Sequence, residues 1–305
     1  MFRDRPAFDE ILKKGLAFKQ AEHIEEKLEL CRRGYFSKEM LEAMISGGES
    51  YYFHPTPFLW KCMLDNHILS PTLESLKFAL CDQTIDLHRL QRHLLAETFL
   101  NLFAPPSGLM QRYSDAIVAI DGEKDGVECR GSGFLVRREY ETTTFLVTCR
   151  HNVDPAQSVR VRSITTAKGE NVPVGSFTMD ENHDIAVMPV ESTARPVFVL
   201  GDSPEIFDEV YTLGYPYLPG AMSALVGHKG ELNGFTQNYL QRSPIILISN
   251  LVSPGSSGCP VLSREGFCVG MTTTRMEGLG SDGNRTGFSA ALPAWLIKHA
   301  LDQKY

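Results

Sequence analysis

The chain has 305 residues, 43% hydrophobic and 22% charged, with a formal net charge of −7. That length accommodates one large or two modest domains with real cores. The acidic balance argues against a nucleic-acid partner, because such domains carry clustered excess Lys and Arg. Residues 1–104 hold 13 basic and 15 acidic side chains and the remainder 17 and 22, so neither part is a basic module. Met1-Phe2-Arg3-Asp4-Arg5-Pro6 leads into a charged pattern without the apolar core of a signal peptide. No run of eighteen apolar residues predicts a membrane span. The seven cysteines are odd in number, scattered and without CxxC spacing, which predicts reduced thiols and a cytoplasmic location. Export by a route that needs no cleaved signal stays open.

In chain order, residues 1–104 read as a helical domain. Phe8, Ile11, Leu12, Leu16, Phe18, Ile24, Leu28 and Leu30 recur at three-to-four spacing until Gly34. Ser37 is placed to cap a second helix reaching Ile45. Thr56-Pro57 and Ser70-Pro71 each set a capping hydroxyl before a proline at a first helical position. A last helix is expected over Asp86–Leu102. Pro105-Pro106-Ser107-Gly108 then marks a boundary, with 105–111 as linker. From 112 to 305 the pattern changes to about a dozen short β runs, among them Gly133–Val136, Thr144–Val147, Ile185–Val190, Ile245–Ile248 and Cys268–Thr273. Turns such as Asp125-Gly126 punctuate them. Strands without intervening helices suggest a sandwich or paired barrels, and 293–304 read as a short closing helix.

Three short motifs carry the chemistry. Thr148-Cys149-Arg150-His151-Asn152-Val153, His183-Asp184-Ile185-Ala186-Val187 and Pro254-Gly255-Ser256-Ser257-Gly258-Cys259-Pro260 supply, in order, a base, a carboxylate and a hydroxyl. A serine hydroxyl becomes nucleophilic when an imidazole takes its proton, and a carboxylate fixes that imidazole's tautomer. His151, Asp184 and Ser257 are the candidate catalytic residues. Asp154 is the rival carboxylate, only three residues past His151, and Ser256 the rival hydroxyl, which the glycine frame disfavours. Gly255 and Gly258 allow a tight turn. His88 and His93, five apart, do not share a helical face as metal ligands would, so no metal and no cofactor is called for. Met40, Met44, Phe53, Phe58, Trp60 and Met63 read as helix core, and the charged stretch Glu22–Arg33 as a solvated face.

The stretch 112–302 resembles the trypsin-like serine proteases of the chymotrypsin fold, and within them the compact HtrA-type bacterial branch. Gly131-Ser132-Gly133-Phe134, the histidine and aspartate motifs, Leu213-Gly214-Tyr215-Pro216, the serine motif and Gly287-Phe288-Ser289-Ala290-Ala291-Leu292-Pro293 carry the likeness. The resemblance implies a double six-stranded β-barrel behind the helical domain, with a short C-terminal helix. It implies a serine endopeptidase acting on protein or peptide substrates, and an oxyanion hole formed by the amides of Gly255 and Ser257. It also implies that this turn can rest collapsed, with the helical domain in control. Cys259 stands where many relatives have glycine, and Ser256 cannot make the ion pair that activates digestive zymogens. No PDZ-like segment follows. By the same likeness Leu251 lies at the floor of the specificity pocket, with Thr273, Arg275 and Ser289 around it. Leu251 favours apolar or small side chains, and Arg275 favours an acidic one. Residues 1–104 are left as a docking surface for a regulatory partner or substrate, or as a lid. A catalytically idle trypsin-fold scaffold is the alternative reading.

Overall fold

A computed structural model describes residues 10, 12–14, 16–17, 21–32, 35–46, 60–61, 63–64, 68–71, 83–85, 92–93, 96–102, 104–138, 141–191, 196–202, 204–238, 242–275 and 288–304. The chain divides into two compact units, Met1–Leu95 and Ala96–Tyr305.

The first unit contains α1 (Ile24–Arg32), β1 (Tyr35–Phe36), α2 (Lys38–Ser46), β2 (Leu69–Pro71) and β3 (Gln83–Ile85). Ser37 caps α2, its Oγ accepting the Met40 N–H at 3.3 Å. Met40, Leu41 and Ala43 of α2, with Leu28 and Leu30 of α1, are buried. Two expectations are corrected. Ser70-Pro71 opens no helix: it lies in β2, at the edge of a sheet ordered β1-β3-β2. A proline lacks the N–H that a central strand must donate, and an edge tolerates it. The helix foreseen over Asp86–Leu102 is not continuous. Arg92 and His93 are helical, but Glu97 takes φ 59° and Phe99–Leu102 form a separate 3₁₀ turn; a left-handed residue cannot continue a right-handed helix. Thr56-Pro57 and His88 lie outside the described residues.

In the second unit, the segment read as a linker carries α3 (Ser107–Tyr113). Pro105 and Pro106 sit at the helix entry, where a missing N–H costs little. Leu109 and Tyr113 are buried in the main core, and Tyr113 stacks on Phe198 with ring centroids 4.5 Å apart. Asn101 Nδ2 donates to Tyr113 Oη (3.1 Å) and to the Glu265 carbonyl (2.7 Å). The Arg264 guanidinium donates to the carbonyls of Asn101 (3.2 Å) and Ala104 (2.8 Å). Residues 101–113 thus belong to the packed body.

A seven-stranded sheet follows: β4 (Ile117–Lys124), β5 (Val127–Arg137), β6 (Thr144–Thr148), β7 (Val159–Thr166), β8 (Thr178–Met179), β9 (Ala186–Val190) and β10 (Phe198–Val199). Its path is β7-β4-β5-β6-β9-β8, with β10 parallel to β5. Asp125 and Gly126 turn the β4–β5 hairpin with φ 51° and 81°, the conformation that a two-residue hairpin needs. β6 is buried throughout, as its unbroken Thr-Phe-Leu-Val-Thr run requires. The remaining strands, β11 (Glu209–Gly214), β12 (Val226–Gln237), β13 (Pro244–Ile248), β14 (Pro260–Leu262), β15 (Cys268–Arg275) and β16 (Ser289–Pro293), close a barrel in the order β11-β12-β13-β16-β15-β14. Two six-stranded barrels were expected, whereas among the described residues only the second closes. In the first, Asn171 bridges to Thr165 of β7 and Val172 N–H donates to Ile164 O (2.9 Å), while β8, a few residues on, pairs with β9. Helix α4 (Ala294–Lys304) follows β16 and buries Leu296, Ile297, Ala300 and Leu301.

Candidate active site

His151 sits just past the end of β6, on a 3₁₀ turn Arg150–Asn152. Asp184 immediately precedes β9. Its loop is shaped by Asp180, whose carboxylate accepts the N–H groups of Asn182 (2.9 Å) and His183 (2.8 Å). The Asp184 carboxylate grips His151 twice: Oδ2 meets ring Nδ1 at 2.8 Å, and Oδ1 accepts the backbone N–H at 3.0 Å. The Thr273 hydroxyl adds a third bond to Oδ2 at 2.6 Å. Burial alone would push this carboxyl up, but the bonds and charge of His151, with Thr273, outweigh it and hold it below its ordinary value. Asp154 is otherwise engaged. It caps the next turn and pairs with Arg150 at 2.8 Å, which lowers its carboxyl.

Ser257 lies on the loop between β13 and β14. Its Oγ donates to the Thr273 carbonyl at 2.7 Å. A hydroxyl carries one proton, so this bond and one to His151 are alternatives exchanged by rotation of the side chain. Thr273 is the unpaired residue of a bulge in β15, where the register on β16 shifts between Thr272 and Thr274. The bulge aims its hydroxyl at Asp184 and its carbonyl at Ser257, as bulges beside reactive centres do.

The turn before the nucleophile is held through its carbonyls. Pro254 O accepts the Tyr217 N–H (2.7 Å), and Gly255 O accepts Ser132 Oγ–H (2.8 Å). Ser256 O accepts Thr272 Oγ1–H (2.6 Å), while Ser257 O accepts the Ser132 N–H and the Asn152 amide, both at 2.9 Å. In a trans peptide the N–H points away from the preceding C=O. Anchoring Pro254 O and Ser256 O therefore turns the Gly255 and Ser257 N–H groups the other way, and neither has an acceptor among the described residues. Gly255 and Gly258 take φ 90° and 91°. A Cβ on Gly258 would fall 2.0 Å from the Ser132 carbonyl oxygen, so no other residue fits there. Ser132, Asn152 and Thr272 went unassigned in the sequence, although the first two lie inside recognised motifs.

The residues expected to line the specificity pocket lie on the neighbouring strands β15 and β16 and at the start of the β13–β14 loop. Leu251 is 51% exposed, while Ser289 is 4% exposed with its hydroxyl on the Asn250 carbonyl at 2.8 Å. Thr273 donates its hydroxyl to Asp184 and lines the cleft that holds the triad candidates. Arg275 pairs with Ser289 through the backbone, and its side chain lies outside the described residues. Cys259 is buried, its thiol pushed up by burial to about 11, which removes it as a rival nucleophile. It packs over Gly214, where a Cβ would come within 1.8 Å of its Sγ. Ligand atoms of Cys149, His151 and Asp184 lie within 4.8 Å of one another. Both Asp184 oxygens are already engaged, and burial first, then Asp184, raises the Cys149 thiol well above its ordinary value, so the cluster is the internal bonding of the triad and not a cation cage.

A family model of the trypsin-like peptidase domain matches residues 131–271. Curated relatives include a probable periplasmic serine endoprotease, DegP-like, of Chlamydia trachomatis: it is 26% identical over 184 residues, covering 59% of this chain and 34% of the relative. The one of the same name from Hahella chejuensis is 31% identical over 179 residues, covering 56% of this chain and 34% of the relative. The chain thus spans about a third of the length of the curated relatives it matches. Among solved structures, the serine endoprotease from Yersinia pestis superposes with TM-score 0.50 at 18% identity, over 66% of each chain. An HtrA-type protease, AlgW, with a tripeptide gives TM-score 0.52 at 18% identity, over 66% of this chain and 63% of that one. At such identity these two speak for the fold.

Proposed function

We propose that the chain, whose residues 131–271 match the family model of the trypsin-like peptidase domain, is a serine endopeptidase working through His151, Asp184 and Ser257. Ser257 Oγ attacks the peptide carbonyl while His151 takes its proton and then delivers it to the leaving amine. Asp184, already bonded to Nδ1, fixes the tautomer that leaves Nε2 to act as base. The N–H groups of Gly255 and Ser257 receive the oxyanion, and such a donor is worth about 10²–10³ in rate. Water then hydrolyses the acyl-enzyme. The observation that carries this reading is the double grip of Asp184 on His151 beside a nucleophile turn whose carbonyls are all anchored.

The bond from Ser257 to the Thr273 carbonyl favours the second reading, an idle scaffold. Labelling by a fluorophosphonate separates them. Full-length protein should label, and Ser257→Ala should not while keeping its thermal unfolding curve. Failure of the unmodified chain to label would decide for the scaffold.

The place of action and the role of the first unit belong to the same proposal. The four described cysteines, Cys129, Cys149, Cys259 and Cys268, are free, which supports a reducing compartment, whereas the curated relatives are named periplasmic. No helix among the described residues is long and apolar enough to cross a membrane. The unit Met1–Leu95 is assigned to docking a partner or substrate. Comparing full-length protein with the unit Ala96–Tyr305 on one protein substrate tests this, and equal kcat/KM would remove the assignment.

A further inference from the structure

The triad opens into a cleft of about 540 Å³ whose lining, among the described residues, contains no hydrocarbon side chain: beyond the triad and Thr273, each described residue on its wall is charged or carries an amide or imidazole. Ligand pockets are ordinarily lined mostly by apolar groups with a few polar ones, so this wall selects polar substrate side chains. Most of its charge is internally compensated. The Arg150 guanidinium pairs with Asp154 at 2.8 Å and donates to the Asp180 carbonyl at 3.2 Å. Gln157 donates to the same Asp154 carboxylate at 3.3 Å, and Asp184 is held by His151 and Thr273. His183 is tied through Nδ1 to Ser243 Oγ at 2.8 Å.

Two charges remain. Lys124 and Glu181 both line the cleft, both are exposed, and neither has an ion-pair partner among the described residues. The topology separates them. Lys124 is the last residue of β4 and pairs with Val159, two residues past Gln157, whereas Glu181 follows β8 in the loop that carries Asp184. The cationic and anionic groups therefore stand on two different elements of the cleft wall.

Resting on the endopeptidase reading, we propose that this cleft is charge-polarised and selects peptides bearing an acidic side chain toward Lys124 and a basic one toward Glu181. Exposed ion pairs are worth about two- to fivefold in a ratio of rates, and the preference should shrink as salt rises.

The test uses full-length protein and a peptide library with single Asp, Lys or Ala substitutions at each position around the cleaved bond. Unmodified enzyme should prefer Asp at one position and Lys at another. Lys124→Glu should reverse only the first preference and Glu181→Lys only the second, and the double variant should cleave the charge-swapped peptide about as well as the parent cleaves its own. Fluorophosphonate labelling of Ser257 is the parallel readout. Labelled variants whose charge preference is unmoved overturn the proposal and leave the endopeptidase reading standing. An unmodified chain that neither labels nor cleaves overturns both.

Discussion

Asp184 does three jobs with two oxygens, and the consequence is separable by mutation. Asp184→Asn keeps the size of the side chain but offers an amide where His151 Nδ1–H needs an acceptor, and the wrong tautomer is then favoured. A loss of about 10⁴ in kcat with little change in KM is expected, read from steady-state kinetics on a cleaved peptide. Thr273→Val removes the 2.6 Å hydroxyl bond to the same carboxylate. A bond to a charged group contributes about 1.5–3 kcal/mol, so kcat should fall by roughly ten- to a hundredfold, and Thr273→Ser should restore most of it. The three residues proposed as the triad were legible in the sequence because they sit in ordered motifs. The sequence did not show Thr273 in this role, since a single bulged residue in β15 decides where that side chain points, and bulges leave no periodicity to read. Cys259 and Gly214 form another such pair, 45 residues apart in the chain and in contact in the fold. Gly214→Ala should destabilise by about 1–3 kcal/mol through overpacking, and Cys259→Gly in the same chain should recover much of that loss in thermal unfolding.

At the scale of elements, local signals were legible where local chemistry decides. The Asp125-Gly126 hairpin, the Ser37 cap and strand β13 all lie where the sequence placed them. Signals failed where a tertiary partner decides. Val226–Gln237, rich in Gly and polar residues, carries no strand reading beyond Val226, yet it forms the longest described strand because β11 and β13 pair with it on both sides. The proline cluster at 105–106 reads as a boundary, yet Asn101 and Arg264 bind that segment to the barrel. Asn101→Ala would leave the buried Tyr113 hydroxyl and the Glu265 carbonyl without their partner. An unsatisfied buried group costs about 1–3 kcal/mol, so a lowered melting temperature with an unchanged kcat is expected.

At the scale of the whole molecule, the lowered carboxyls of Asp184 and Asp154 link folding to pH. An acid whose native pKa lies below its unfolded value, about 3.9 for Asp, stabilises the fold above that pH. The contribution disappears as pH falls through the lower native value. Stability should therefore be level with respect to these groups near neutrality and decline below about pH 4. Asp154→Asn should flatten part of that acid limb, as followed by unfolding midpoints across pH. The broad architecture was readable from composition and strand spacing, but not how the segment from Asn171 to Met179 divides between a bridge to β7 and the pairing of β8 with β9, since that depends on partners distant in the chain.

The carbonyl of Ser257 is fastened to the other half of the molecule by two bonds, from Ser132 and from Asn152. Any wedge that parts the two halves would therefore pull on Ser257 as well as on the bonds that Ser132 and Thr273 make across the same seam. A ligand lodged in that seam, distant from the triad, would silence the enzyme without competing with substrate.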